Sequence, residues 1–267
     1  MKVVLTGASA GIGRAMLDQL LNSGHEVVAL VRSPEKLSDL DFKYNKMLTV
    51  IQADFAYLDQ VKSAAAEIKS KWDYIDLLIN NAGTYESEYL KTETGEEHTF
   101  VVNYLAHVSL SFELHPLLNQ FTSKIINLSS EAHRLASFSL PNEPITKYSG
   151  IQAYASSKLY NILFTAACNT HWADSGIKSF SVHPGIVASS FAMQRRDWLN
   201  LAYRIFRPFF KTAKYSANEV LKLMDISTFK EPGAYFKEGK EVKASKEARN
   251  EAHAEALWNW TEQRLQA

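Results

Sequence analysis

Tyr154 and Lys158 stand four residues apart in Ala153-Tyr154-Ala155-Ser156-Ser157-Lys158. On a helix this spacing presents a phenol and an ammonium together on one face. A phenol ordinarily titrates near ~10, and a neighbouring positive charge favours its ionised form, bringing proton transfer closer to neutral pH. A serine pair, Ser129-Ser130, lies upstream, and a glycine-rich turn, Thr6-Gly7-Ala8-Ser9-Ala10-Gly11-Ile12-Gly13, opens the chain. Tyr-x-x-x-Lys alone is a weak signal; its order relative to the other motifs gives it weight.

Gly7, Gly11 and Gly13, with Ser9 and Ile12 between them, fall between a first strand and a first helix. Glycines there allow a tight turn and let a pyrophosphate approach the backbone amides at a helix N-terminus. The spacing is Gly-x-x-x-Gly-x-Gly rather than Gly-x-Gly-x-x-Gly. Selectivity between dinucleotides is set at the end of the second strand, where an acid holds a ribose 2′-hydroxyl. This chain reads Ala29-Leu30-Val31-Arg32-Ser33 there, so an arginine stands ready for a 2′-phosphate. NADP(H) is the expected cofactor.

These groups need a scaffold. Short apolar runs at Val3 to Leu5, Val27 to Val31, Leu48 to Ile51, Leu77 to Ile79, Ile125 to Leu128 and Phe180 to Val182 have the length of buried parallel strands. Helical patterns fit between them, at Gly13 to Ser23, Gln60 to Lys71, Glu97 to Leu118 and Gln152 to Ser175. The expected fold is α/β: one Rossmann-type, doubly wound parallel sheet with helices on both faces, filling 1–267 as a single domain. Residues 131–151, with Pro141, Pro144 and Gly150, read as an extended loop. Residues 186–215 are dense in aromatic and aliphatic side chains interleaved with arginines, and are expected to wall a substrate pocket.

The bulk properties exclude several classes. The 267 residues carry 29 basic and 29 acidic side chains, which removes the electrostatic case for nucleic acid. One cysteine, Cys168, excludes an intrachain disulfide, and none of the eight histidines has metal-ligand spacing. No run reaches the ~20 apolar residues of a membrane span, and the first strand is expected to leave no room for a signal peptide. A cytoplasmic protein acting on a small molecule is expected.

Taken in order, Thr6-Gly7-x-x-x-Gly11-x-Gly13, Asn80-Asn81-Ala82-Gly83, Asn103, Ser130 with Tyr154-x-x-x-Lys158, and Pro184-Gly185 resemble the signatures of the short-chain dehydrogenases/reductases. The resemblance runs from Lys2 to about Leu265 and is greatest to the branch of retinol dehydrogenases and WW-domain oxidoreductases. It implies reversible hydride transfer between NADP(H) and a carbonyl or alcohol. Ser130, the second serine of the pair, would hydrogen-bond the carbonyl oxygen, and Tyr154 would protonate it. Lys158 would lower the phenol pKa and orient the nicotinamide ribose, while Asn103 would hold a water relaying protons to Lys158. Asp54 would meet the adenine, Asn80, Ala82 and Gly83 the adenosine ribose, and Pro184, Gly185, Ile186, Val187 and Ser189 the nicotinamide end. Ser189 stands where the family usually has threonine.

Two rival functions use similar parts. A nucleotide-sugar epimerase or dehydratase shares Tyr-x-x-x-Lys but generally carries Gly-x-x-Gly-x-x-Gly and a larger C-terminal domain. A non-enzymatic NADP(H) sensor would be favoured by loss of Ser130, Tyr154 or Lys158, and all three are present. Residues 191–211 are open to two readings, an apolar lid over a lipophilic carbonyl or packing on the sheet, with peripheral membrane contact a further expectation. The family resemblance also implies a homodimer or homotetramer through the helices at 97–118 and 152–175.

Overall fold

Runs such as Val27-Val28-Ala29-Leu30-Val31, apolar at every position, must bury both faces of the strand they form. The computed structural model describes every residue except 45, 119–121, 142–146, 186–210 and 267, and arranges those runs in one sheet. In chain order the main elements are β1 (Lys2–Thr6), α1 (Gly11–Asn22), β2 (Glu26–Val31), α2 (Ser38–Tyr44), β3 (Leu48–Gln52), α3 (Leu58–Lys71) and β4 (Leu77–Asn80). Next comes α4, which starts as His98–Phe100, widens into a π-helical stretch at Val101–Leu105 and continues as Ala106–Leu114. Then follow β5 (Lys124–Leu128), α5 (Gly150–His171), β6 (Lys178–His183), α6 (Ala213–Leu221), β7 (Tyr235–Lys237), β8 (Lys240–Glu241) and α7 (Glu251–Gln266).

The eight strands lie in the order β3-β2-β1-β4-β5-β6-β7-β8. All neighbours are parallel except β7 and β8. Because side chains alternate along a strand, Val4, Val28, Leu78 and Ile125 point into one core, shared with α3, α4, α5 and α7. Val3, Leu5, Val27, Ala29 and Ile79 point into the other, shared with α1, α2 and α6. Helices thus cover both faces, as expected.

Several expected boundaries need correction. The sheet has two more strands than the six apolar runs suggested, and its edge strand β8 is antiparallel. The segment expected as one helix over Glu97 to Leu118 is interrupted by the π stretch and ends at Leu114, where His115-Pro116-Leu117 tightens into a 3₁₀ turn. Proline lacks the N–H that would continue the α ladder. The expected loop over 131–151 begins with a 3₁₀ turn, Glu131–Leu135, and α5 starts at Gly150 rather than Gln152. Among the described residues no helix is long and apolar enough to cross a membrane.

Candidate active site

The strand order reverses between β1 and β4, since β2 and β3 extend one way and β5 and β6 the other. Open α/β sheets form a crevice there, outside the carboxyl ends of the strands. The glycine turn after β1 and Asn81-Ala82-Gly83 after β4 both open into it. Thr6 locks them together: its Oγ1 accepts the backbone N–H groups of Asn81 and Ala82 at 2.8 and 2.9 Å. Asn81 Nδ2 returns the contact, donating to the Thr6 carbonyl at 2.7 Å and the Gly7 carbonyl at 3.2 Å.

Above this latch, α1 begins without a side-chain cap at Ala10 and without an acid in its first turn. By contrast α4, α5 and α6 are capped by Glu97, Ser149 and Thr212. The leading N–H groups of α1 are therefore left for an anion. Gly11, at φ 57°, has nothing within 4 Å of where a Cβ would stand, so the approach is clear. A Cβ on Gly13 would lie 2.1 Å from the Gly7 carbonyl oxygen, so only glycine lets α1 start this close to the strand. The turn fits a pyrophosphate, with Ser9 and Ile12 half-buried at its rim.

Arg32 is exposed at the end of β2, and among the described residues its guanidinium has no carboxylate partner. Asp54, half-buried after β3, accepts the Ala56 N–H at 3.0 Å. Asn80 turns its side chain away from the crevice: Nδ2 donates to Asn127 Oδ1 at 2.8 Å and Ser111 Oγ at 3.1 Å, in the core. Its contribution to a ribose site is restricted to the main chain. Pro184 and Gly185 follow β6. Ile186, Val187 and Ser189, and the expected lid up to residue 210, lie outside the described residues.

The residues expected to do chemistry converge at the ends of β5 and α5. Lys158 is 5% exposed and donates from Nζ to the Leu128 carbonyl at 3.0 Å. The Nζ stands 5.4 Å from the centroid of the Tyr154 ring. Burial lowers Lys158 to about 8. Burial also holds the Tyr154 phenol above its ordinary value, opposed by a hydrogen bond with the Ser130 hydroxyl. The serine pair divides cleanly. Ser130 is half-buried beside Tyr154, whereas Ser129 is buried and donates to the Lys158 carbonyl at 2.7 Å.

Asn103 sits in the π stretch of α4, fully buried. Its side chain clamps the segment after β4: Oδ1 accepts the Thr84 N–H at 2.6 Å, and Nδ2 donates to the Thr84 carbonyl at 2.9 Å. The same Nδ2 donates to Ser157 Oγ at 3.1 Å, next to Lys158. Three segments far apart in sequence, carrying Asn103, Ser130 and the Tyr154–Lys158 pair, thus meet beside the crevice.

Residues 1–200 match the family model for short chain dehydrogenases. The chain belongs to that family. This short-chain dehydrogenase is 33% identical over 267 residues to retinol dehydrogenase 12 of Mus musculus, covering 96% of this chain and 84% of that one. It is 30% identical over 279 residues to the WW domain-containing oxidoreductase of Drosophila melanogaster, covering 97% and 67%. An uncharacterized protein from Mycobacterium paratuberculosis superposes with a TM-score of 0.79 at 27% identity, covering 100% of this chain and 93% of that one. As a member of the family, the dehydrogenase is an oxidoreductase that uses a nicotinamide cofactor on a small-molecule CH–OH or carbonyl substrate.

Other residues of this dehydrogenase that shape the site were not singled out in the sequence. Tyr85 packs edge-on against Tyr154, with ring centroids 6.0 Å apart. His133 Nδ1–H donates to the Ser130 carbonyl at 2.6 Å, and its Nε2 accepts the Ser245 N–H at 3.0 Å. Burial raises Glu131, but hydrogen bonds from Tyr235 and Lys237 and the charge of Arg134 outweigh it, bringing the carboxyl to about 2. Tyr235 donates to Glu131 at 2.8 Å and Lys237 at 3.2 Å. The Ser130 segment is thus held from behind by β7 and the chain after β8. His107, four residues after Asn103, joins Asn103 to Thr6; its i, i+4 spacing on a helix was the one signal that could have found it.

Proposed function

We propose that this dehydrogenase interconverts an aldehyde or ketone and its alcohol with NADP(H), using Ser130, Tyr154, Lys158 and Asn103. The observation that carries the reading is buried Lys158 on the same helix face as Tyr154, its Nζ 5.4 Å from the phenol ring, with Ser130 at the end of β5. The nicotinamide, when bound, supplies or accepts the hydride. In the reductive direction Ser130 donates a hydrogen bond to the carbonyl oxygen, and Tyr154, held protonated by burial, gives its proton to that oxygen as the C=O π bond breaks. Charge builds on oxygen in the transition state, so donors fixed there stabilise it more than the bound carbonyl. Lys158, near pH 8, returns a proton to the phenolate. A purified-protein screen of NADPH oxidation across aldehydes and ketones of graded chain length tests the assignment; no carbonyl-dependent oxidation would count against it.

The cofactor preference rests on exposed Arg32 in place of an acid. NADPH is expected to bind more tightly than NADH by ~1.5–3 kcal/mol, the worth of a charge-assisted contact, and Arg32→Asp should reverse the order. Equal affinities in fluorescence titrations of the parent would remove the NADP assignment.

A lipophilic substrate is supported by the aromatic and aliphatic content of 191–211 and by Tyr85 on the catalytic tyrosine. Each buried methylene contributes ~0.8 kcal/mol, so kcat/KM should climb about fourfold per carbon along a series of linear aldehydes. Trp198→Ala or Phe206→Ala should flatten the climb, whereas a flat profile in the parent contradicts a lipophilic pocket. We also infer a cytoplasmic location, checked by cell fractionation.

A further inference from the structure

His107 is 2% exposed, in the core beneath the crevice, and its ring is 5.2 Å from that of Phe55. Its Nε2 is 3.2 Å from Thr6 Oγ1 and its Nδ1 is 3.2 Å from the Asn103 carbonyl oxygen. The two ends independently specify one tautomer. A carbonyl oxygen only accepts, so Nδ1 carries the hydrogen. Thr6 Oγ1 already accepts from Asn81 and Ala82, so its own hydrogen points to Nε2. Burial, and then the charge of Lys158, depress the imidazole to about 3, which keeps it neutral.

The rest of the network shows what this ring can govern. The Asn103 side chain is engaged by Thr84 and Ser157. Beside that side chain, Asn103 also offers its main-chain carbonyl to proton transfer. That carbonyl lies in a π-helical stretch, where Ala106 N–H reaches back to the Val101 carbonyl. A carbonyl oxygen has two lone pairs, and His107 takes one of them.

Resting on the oxidoreductase reading, we propose that His107 is a positioning residue. Locked as the Nδ1–H tautomer by Thr6, it aims the Asn103 carbonyl at the proton path to Lys158 and ties that path to the floor of the dinucleotide turn.

Two measurements test it. ¹⁵N-histidine NMR of the protein without cofactor reads the tautomer directly: His107 should show a protonated Nδ1 and an unprotonated Nε2, unchanged from about pH 5 to about pH 9. An Nε2–H tautomer, or titration within that range, overturns the proposal. Kinetics with NADPH and hexanal then separate the two bonds. In His107→Asn the amide nitrogen replaces Nδ1, keeping the donor to Asn103. In His107→Gln the amide lies where Nε2 was, keeping only the Thr6 contact. His107→Phe keeps ring packing and neither bond. Asn should stay within about threefold of the parent kcat, while Gln and Phe should fall at least about tenfold with a raised solvent isotope effect and near-parent KM for NADPH. Ranking of the three by melting temperature rather than by bond retained, or parent kcat in all, overturns the proposal alone. Absence of any Tyr154-dependent turnover in the parent overturns the oxidoreductase reading together with it.

Discussion

Tyr154→Phe is expected to lower kcat by on the order of 10²- to 10⁴-fold, the range supplied by a positioned general acid, while leaving NADPH affinity near that of the parent. The phenylalanine keeps the ring that packs against Tyr85 and removes only the phenol oxygen. Lys158→Ala should differ in kind and lose both turnover and NADPH affinity. It removes the ammonium anchored on the Leu128 carbonyl and expected to orient the nicotinamide ribose. Stopped-flow hydride transfer and equilibrium titration of NADPH check the pair. Near-parent kcat in Tyr154→Phe would show that another group protonates the substrate.

A second large effect is expected on stability in acid. Burial lowers His107 to about 3 and His183 to about 4, and lowers His133 as well. In the unfolded chain each titrates near ~6.5. Between the folded and unfolded values the unfolded chain binds protons that the folded chain does not, so stability rises with pH across that window and falls on acidification. Each group contributes about 1.4 kcal/mol per pH unit within it. His107 and His183 together should thus remove on the order of 4–5 kcal/mol between about pH 6 and about pH 4. Glu131 acts in a lower window: its depressed pKa stabilises the fold above the ordinary carboxylate range, and that support is lost as pH falls toward about 2. Urea unfolding at stepped pH measures the slope, which His107→Asn should reduce by about one proton. A stability unchanged from about pH 7 to about pH 4.5 would contradict this account.

β1, β2, β4, β5 and β6 were legible because they lie inside the sheet and are buried on both faces, which leaves an apolar run such as Val27 to Val31. β7 and β8 were not. They are three and two residues long, and pairing of β7 with Ser181 to His183 and of β8 with β7, rather than any local pattern, makes them strands. Gly150 illustrates the opposite failure. Read as part of the loop over 131–151, it begins α5 instead, and a Cβ there would lie 2.1 Å from the Glu86 carbonyl oxygen, so tertiary packing demands glycine. The π stretch in α4 has no sequence signature, since Val101 to Ser111 is buried all round. At the site, the Tyr154 and Lys158 spacing is a local fact of one helix. The roles of Thr6, His107, Glu131 and His133 depend on partners 101 to 112 residues away, which no local pattern encodes.

The tie between the serine segment and the chain after β6 bears on how the enzyme is made. Glu131 finds Tyr235 across 104 positions, and His133 finds Ser245 across 112. A ribosome adding ~5–20 residues per second delivers those partners roughly 6–20 s after the serine has emerged. Throughout that interval the nascent chain can already own the dinucleotide turn, complete by Gly13 and latched once Asn81 and Ala82 arrive. The order of synthesis therefore places every residue of the dinucleotide turn and its latch ahead of the partners that hold the Ser130 segment.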